Sequence, residues 1–464
     1  MNDVTVVILA AGLGTRMKSR KAKVLHRAGG RTLIDHTVHT ALELASPNHT
    51  FVVVGHQAEE VRANVAHHGI QCIHQEEQKG TGHAILCGRE ALEQLGGLLV
   101  VFYGDCPLIL PATLNQLVSY QREHSGGCTL LTTKLTDPTG YGRIIRTETG
   151  EVECIVEQKS ANREQLAVHE INAGVYCFDA TLFWKYVDRL TPDNPAREYY
   201  LTDMIEILIR QGHAVHAMKV KDSAELLGIN NRVELAAVDH TFRARKIHQL
   251  MLDGVTVEKP ETVTVDADVT VGIDTVIEPF VQLRGYTRIG ENCRVGAGSI
   301  ITDSELSDDV DIQPFTLIGT SKLERAVHAG PFSRLRMGNH LAEGVHVGNF
   351  VELKKATVGR GTKAMHLAYL GDATIGEGAN IGAGTITCNY DGAHKHPTKI
   401  GNAAFVGSNS TLVAPVQIAD HAYVAAGSTI THNVPEAALA LGRTRQVNKE
   451  GYAKRMGKHP APSA

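Results

Sequence analysis

The stretch VDADVT VGIDTV IEPFVQ LRGYTR IGENCR VGAGSI I, residues 265–301, decides the fold of the C-terminal half of the chain. Written in sixes, it places Val265, Val271, Ile277, Leu283, Ile289, Val295 and Ile301 at the head of each group. The same period returns at Ile400, Val406, Leu412, Ile418, Val424 and Ile430, with Ile375 and Ile381 just before. The residue that follows is often small, as at Gly272, Gly290, Gly296, Gly407 and Ala425. An amphipathic helix would need spacings of three and four, and a lone half-buried strand would alternate strictly. A period of six predicts a parallel β-helix, each hexad being a short strand with one inward aliphatic and then a turn. Stacked coils bury those aliphatics in one column, so a single coil is not stable alone.

Outward from this run, the chain of 464 residues exceeds one ordinary core and predicts two or three domains. Hydrophobic residues at 43% and charged residues at 21% describe a soluble globular protein. A formal charge of −4 argues against a nucleic-acid binder, which is normally basic. The 8 cysteines show no C-x-x-C pair and read as reduced thiols of a cytoplasmic protein. The opening apolar run, Val4 to Ala11, is too short for a signal or membrane segment and follows Asp3 rather than a basic region.

Residues 1–232 alternate strand and helix signals, which predicts an α/β domain with a mainly parallel sheet. Thr5 to Leu9, Thr50 to Val54 and Leu98 to Phe102 read as buried strands. Residues 233–253 carry apolar side chains at helical spacing (Leu235, Val238, Phe242) and predict a long joining helix, stopped by Gly254. Residues 254–464 hold the β-helix, its hexads starting about ten residues beyond the helix, and a tail. After Val447 the tail is basic, then Pro/Ala/Ser-containing, and its end is expected to be disordered.

The strand Val6 to Leu9 runs into Ala10-Ala11-Gly12-Leu13-Gly14-Thr15-Arg16-Met17. No G-K-[ST] follows, so this is not a Walker A loop, and Met17 stands at the third glycine of a dinucleotide fingerprint. Two glycines let backbone N–H groups approach a phosphate or a base, and Arg16 and Lys23 add positive charge. Taken alone, the glycines fit an ordinary strand-to-helix turn. The whole string resembles the sugar-phosphate nucleotidyltransferase family, whose signature is L-A-A-G-x-G-T-R-M followed by P-K; here Ala22 replaces the proline and Lys23 keeps its register. The segment from Gln75 to Ala84, with Gly80 and Thr81, resembles the uracil-recognition segment of members that form UDP-sugars. Tyr103-Gly104-Asp105 follows an apolar strand, at the carboxyl end where ligands bind in open α/β sheets.

That resemblance implies a Rossmann-like fold and a set of roles. Leu9, Ala10, Ala11, Gly12, Lys23, Gln75, Gly80, Thr81, Tyr103, Gly104 and Asp105 would hold UTP. Gly142, Glu157 and Asn172 would hold the sugar, with Ala173 where the family has Thr. Asp105 and Asn230 would ligate Mg²⁺, an ion served by one or two protein oxygens plus substrate phosphates. Arg16 and Lys23 would steady the departing pyrophosphate, because phosphoryl-type transfer needs positioning and charge stabilisation more than covalent help.

The six-residue register lapses between Gly319 and Leu341, between Gly359 and Thr374, and between Gly382 and Lys399. Departures from a repeat are where function is expected. Polar clusters sit there and in the coil between the first two: Arg334-Leu335-Arg336, Glu352-Leu353-Lys354-Lys355, Lys363 to Asp372, and Thr387 to Gly392. Their order resembles the acetyltransferase half of the bacterial bifunctional enzyme family that makes UDP-N-acetylglucosamine, with Met365 and Ala368 as departures. The resemblance runs from residue 4 to about 447. It implies a left-handed β-helix, a homotrimer, and two reactions. Glucosamine 1-phosphate is acetylated from acetyl-CoA, and the product is joined to UTP with Mg²⁺, releasing pyrophosphate; the nucleotide sugar feeds peptidoglycan.

His366, one of 24 histidines, would be the base that takes the amine proton, standing out by its K-x-x-H-L-x-Y-L-G-D setting. Arg336 and Lys354 suit a sugar phosphate, and Tyr369, Asn380 and Asn389, beside Tyr390, would orient the sugar. Backbone N–H groups near Ala383 or Ser408 would face the thioester oxyanion. Ala426 and Arg443 match the family's coenzyme A contacts. Two other functions fit the same plan: a single-function nucleotidyltransferase with a structural β-helix, or a non-enzymatic scaffold. The cluster around His366 speaks against the first, and intact Arg16, Lys23 and Asp105 against the second.

Overall fold

A computed structural model describes residues 3–457. The Pro/Ala/Ser-containing end of the tail lies outside the described residues. The chain forms two compact units, Met1–Arg243 and Ala244–Ala464.

The first unit is built on a sheet whose centre is the strand Val4–Leu9. All six of its residues are buried, as the unbroken apolar run requires of a strand covered on both faces. Its side chains alternate between two cores. Val7 and Leu9 join a cluster with Val53 and Val101, while Val6 and Ile8 join one with Val52, Val100 and Phe102. The strand order is Val215–Lys219, Cys128–Lys134, Glu170–Asp179, Leu98–Tyr103, Val4–Leu9, Thr50–Val54, Gln71–His74. The sheet is mostly parallel, but Glu170–Asp179 runs antiparallel to both neighbours. That strand is irregular between Asn172 and Tyr176. There Gly174 takes φ +71°, and a Cβ on it would lie 2.1 Å from the Tyr103 ring. The irregularity therefore brings the backbone flat against Tyr103 at the carboxyl end of the central strands.

The joining helix spans Arg232–Leu252. Phe242 on its first half stacks on His36 at 3.9 Å between ring centroids. Gly254 follows with φ +95°, and Val255 N–H returns to the Leu250 carbonyl, a left-handed helix stop.

The second unit is a left-handed parallel β-helix. Strands pair one coil on, in a register that stacks Val265 on Leu283, Leu283 on Ile301, Ile301 on Ile318 and Ile318 on Leu335. These inward residues are no more than 3% exposed. Each contributes about 1.5–3 kcal/mol of apolar burial. The coil begins earlier than the hexads predict, with Thr256–Val257 pairing to Val276–Ile277 directly after the helix. The first two lapses in register are not interruptions. Leu335, Leu353 and Leu370 continue one column, and inward Ala329 and Ala364 sit in another, where small side chains hide the pattern. Ile301 pairs with Ile318 and Leu353 with Leu370, one residue short of three hexads, so the period slips while the coil goes on. The third lapse is a true excursion: Thr387 pairs with Leu412, and residues 389–397 loop out between them.

One corner of the coil carries an exposed aromatic ladder. Phe315, Phe332 and Phe350 are 54%, 49% and 56% exposed, with ring centroids 5.2 and 5.5 Å apart. Phe280 and Leu367 occupy the same turn position, all with left-handed backbone. No helix among the described residues is long and apolar enough to cross a membrane.

Two candidate active sites

In the first unit, a cavity of about 410 Å³ opens at the carboxyl end of the sheet. It is lined by Leu9, Ala10, Ala11 and Gly12 from the first strand and turn, Gln75 just after the strand Gln71–His74, Gly80 and Thr81 at the entry to the helix Thr81–Leu86, and Lys23. A second cavity of about 330 Å³ adjoins it, lined by Gly142, Glu157, Asn172 and Tyr141. Five residues belong to both walls: Arg16, Lys23, Tyr103, Asp105 and Asn230. A ligand in one cavity therefore meets a ligand in the other over these cations and oxygen donors.

The shared wall has a definite polarity. Lys23 Nζ pairs with Asp105 Oδ2 and donates to Asn230 Oδ1 at 3.0 Å, and Arg16 donates to the same Asn230 oxygen at 2.7 Å. Gly14 permits this: it has φ +59°, and a Cβ there would stand 2.6 Å from Lys23 Cβ. Burial drives the Tyr103 phenol up, with Glu157 and Asp105 adding to it, so the ring is a neutral wall. Burial also raises the Glu157 carboxyl. Asn172 is fixed by its own bonds, donating to Tyr176 Oη at 2.6 Å and accepting from Gly174 N–H at 3.1 Å. Gly104 is not on either wall; it packs beneath, where a Cβ would lie 3.0 Å from Ile34 Cδ1. Gln78, within the segment from Gln75 to Ala84, and Glu198, which carries no sequence signal of its own, also line the larger cavity.

In the β-helix most of the expected site residues fall at two corners. At one, Arg336, Lys354 and Gly371 stack in register on successive coils. Lys354 Nζ lies 3.1 Å from Asp372 Oδ2, and Asn389 donates to the same oxygen. Arg336 pairs with Glu352 at 3.1 Å. A Cβ on Gly371 would touch both the Tyr369 hydroxyl and the Asn389 amide, so Tyr369 reaches along its strand to this cluster. Burial opposes charge on both Lys354 and Asp372, but their pairing prevails, raising Lys354 and lowering Asp372. The Lys354 ammonium in turn depresses Lys395, which the excursion carries back to the cluster. Asp372 ends the motif around His366 but carries no role there, and Lys395 escapes a sequence reading, because only the fold brings residue 395 to residue 354.

The other corner holds His366. Its Nδ1 lies 2.9 Å from Asn349 Oδ1, one coil earlier and in register. An amide oxygen only accepts, so Nδ1 is the donor in this bond, and in a neutral ring Nε2 is the nitrogen left to accept. Continuing the register, Ala383, Ser408 and Ala426 occupy the same turn on following coils. The corner changes there from large to small side chains. Arg443 follows at its exposed end. Asn380 is not brought to Lys354; it lies on the flat face between Lys363 and Phe405. Tyr390 is exposed on the excursion. His366 is itself exposed, and the strand Tyr369–Gly371 separates it from the Lys354 corner.

Residues 6–166 match the MobA-like NTP transferase domain family, and residues 268–303 and 397–432 match the bacterial transferase hexapeptide family. Three curated relatives are each named Bifunctional protein GlmU. That of Solibacter usitatus is 59% identical over 98% of this chain and 98% of its own length. That of Koribacter versatilis is 49% identical, covering 97% and 96%. That of Streptococcus agalactiae is 45% identical, covering 98% of both.

Proposed function

The chain belongs to the family of bifunctional GlmU proteins, and from that premise we propose how its two sites divide the work. It is a bifunctional enzyme, a uridylyltransferase in its first unit and an acetyltransferase in its β-helix. It acetylates glucosamine 1-phosphate and converts the product, with UTP, to UDP-N-acetylglucosamine, a peptidoglycan precursor.

The wall shared by the two N-terminal cavities carries the first assignment. UTP occupies the larger cavity, its base against Gln75, Gly80 and Thr81, and the sugar phosphate occupies the smaller one by Gly142, Glu157 and Asn172. The sugar-phosphate oxygen then meets the α-phosphorus over the shared wall, which supplies alignment and positive charge. Arg16 and Lys23 hold the pyrophosphate as it leaves. Asp105 and Asn230 suit Mg²⁺: both are hard oxygen donors, and both already converge on one cationic point, the Lys23 ammonium. Held by these two residues, Mg²⁺ would supply charge neutralisation for the triphosphate, beside the Lys23 and Arg16 cations.

In the β-helix, His366 Nε2 takes a proton from the substrate ammonium and frees the amine to attack the thioester carbonyl. Asn349 fixes the tautomer. Arg336, Lys354 and Lys395 receive the sugar phosphate, and Tyr369 and Asn389 orient the ring. The small residues Ala383, Ser408 and Ala426 leave room for coenzyme A along the corner, with Arg443 at its phosphate end. His366 is exposed and sits on a different corner from Lys354, which supports a neighbouring subunit completing the site; family resemblance makes the working form a homotrimer. The eight free thiols support a cytoplasmic location.

Coenzyme A release and pyrophosphate release, followed separately in one preparation, test the division. His366→Ala abolishes only the first and Asp105→Ala only the second. A variant that loses both while still folded removes the assignment.

A further inference from the structure

We propose that Asp35, His67 and His68 form a binding site for a late first-row divalent metal ion such as Zn²⁺, outside both active sites. Asp35 lies in the first turn of the helix Leu33–Leu42, with its backbone N–H capped by Thr32 Oγ1 at 3.2 Å. His67 and His68 end the short turn Ala66–His68, which follows the helix Ala58–Val65 and is closed by Gly69 at φ +68°. Both imidazoles aim Nε2 at the same carboxylate oxygen, His68 at 2.7 Å and His67 at 3.4 Å from Asp35 Oδ1. One donor nitrogen from each ring and that oxygen all lie within 4.8 Å of one another.

A single hydrogen bond to Asp35 would need only one of the two rings. Convergence of both is the arrangement a metal requires. Zn–N and Zn–O bonds of about 2.0–2.2 Å set tetrahedral ligand atoms roughly 3.3 Å apart, so small side-chain shifts suffice. The site is open on one side: the His67 side chain is 60% exposed against 13% for His68 and 16% for Asp35. Water completes the coordination there. Arg31 Nε stands 3.9 Å from the other carboxylate oxygen, which leaves Oδ1 to the rings. Two imidazoles with one carboxylate select Zn²⁺, Ni²⁺ or Co²⁺ over Mg²⁺ or Ca²⁺, the reverse of the oxygen pair Asp105 and Asn230. Bound metal ties the start of one helix to the end of the next, so it stabilises the folded state by mass action. The rings must be neutral to bind, so affinity falls in acid.

The test uses the full-length chain without a histidine tag, stripped with a chelator and kept in Mg²⁺. Zn²⁺ is titrated against a chromophoric chelator, and Co²⁺ is added separately to read its visible absorption. The parent chain takes up one more Zn²⁺ equivalent than His67→Ala and than Asp35→Asn, and only the parent shows the Co²⁺ band of imidazole ligation and a Zn²⁺-dependent rise in Tm. Binding in the variants is weaker by at least tenfold, and pyrophosphate release is unchanged in His67→Ala. His67 is exposed, so its replacement tests the site without threatening the fold. Equal uptake by parent and His67→Ala, or none by either, overturns the proposal.

Discussion

At the scale of single residues, partners assign the chemistry that residue types alone leave open. His366 is one histidine among 24, and its bond to Asn349 marks the tautomer a base needs. General-base catalysis contributes about 10²–10⁴-fold, so His366→Ala costs that much in coenzyme A release. Asn349→Ala leaves the base in place but lets it choose either tautomer; we expect roughly a tenfold lower kcat for coenzyme A release, an altered pH profile and unchanged pyrophosphate release. Asn349 was legible only with the coil length in hand, because its signal is a separation of one coil from His366 rather than a motif. Gly104 shows the other case: its motif was plain, and it lines neither cavity, while packing against Ile34 accounts for its small size. Asp203 gives a pH prediction. Burial, and then Glu206, raise its carboxyl to about 6. Its folded pKa lies above its unfolded value, so it adds stability below about pH 4 that is lost as pH rises through about 6. Asp203→Asn therefore flattens the fall in Tm between pH 4 and 7, by on the order of 1 kcal/mol after discounting for its half-exposed position. A fall as steep in the variant as in the parent would rule this out.

At the scale of elements, the coil explains why the sequence was legible in some places and not in others. Perfect hexads from Val265 to Ile301 showed the inward column directly. From Ile301 to Leu370 the same column continues, but every step except Leu335 to Leu353 is one residue shorter, which destroys a period of six without disturbing the stacking. The excursion hides more, since Lys395 reaches Lys354 only after the chain leaves the coil and returns. Close stacking also sets a strict requirement beside the base. A Cβ on Gly348 would fall 1.9 Å from the Met365 carbonyl oxygen, whose peptide leads into His366. Backbone cannot yield as a flexible side chain can, so Gly348→Ala moves the 365–367 turn. The expected result is at least a tenfold loss of coenzyme A release, with pyrophosphate release intact and the β-helix still folded by circular dichroism. Full acetyl transfer in this variant would mean the corner is more pliable than its packing implies.

At the scale of the whole molecule, each unit has its own buried core, so losses in one site need not reach the other. The acetyl site raises a further demand. His366, the proposed base, stands exposed on a corner, and above it on the same corner run Phe315, Phe332 and Phe350, about half exposed each. A Phe side chain carries about 150–250 Å² of surface, roughly half of it still open here, and a stacked row of them facing water is a contiguous apolar patch of the kind that marks a subunit contact. Below His366 the corner turns to Ala383, Ser408 and Ala426, where an equally close approach would leave a slot for coenzyme A. The ladder thus reads as the seam that sets the neighbour's distance, and the small residues as the gap that distance creates. Phe332→Asp with Phe350→Asp puts two carboxylates into that seam. If the seam holds the proposed homotrimer together, sedimentation should then show monomers, coenzyme A release should fall in step with dissociation and recover partly at high protein concentration, and pyrophosphate release per chain should stay within about twofold. A double variant that remains trimeric and fully active would place the seam on another face and detach the ladder from the acetyl site.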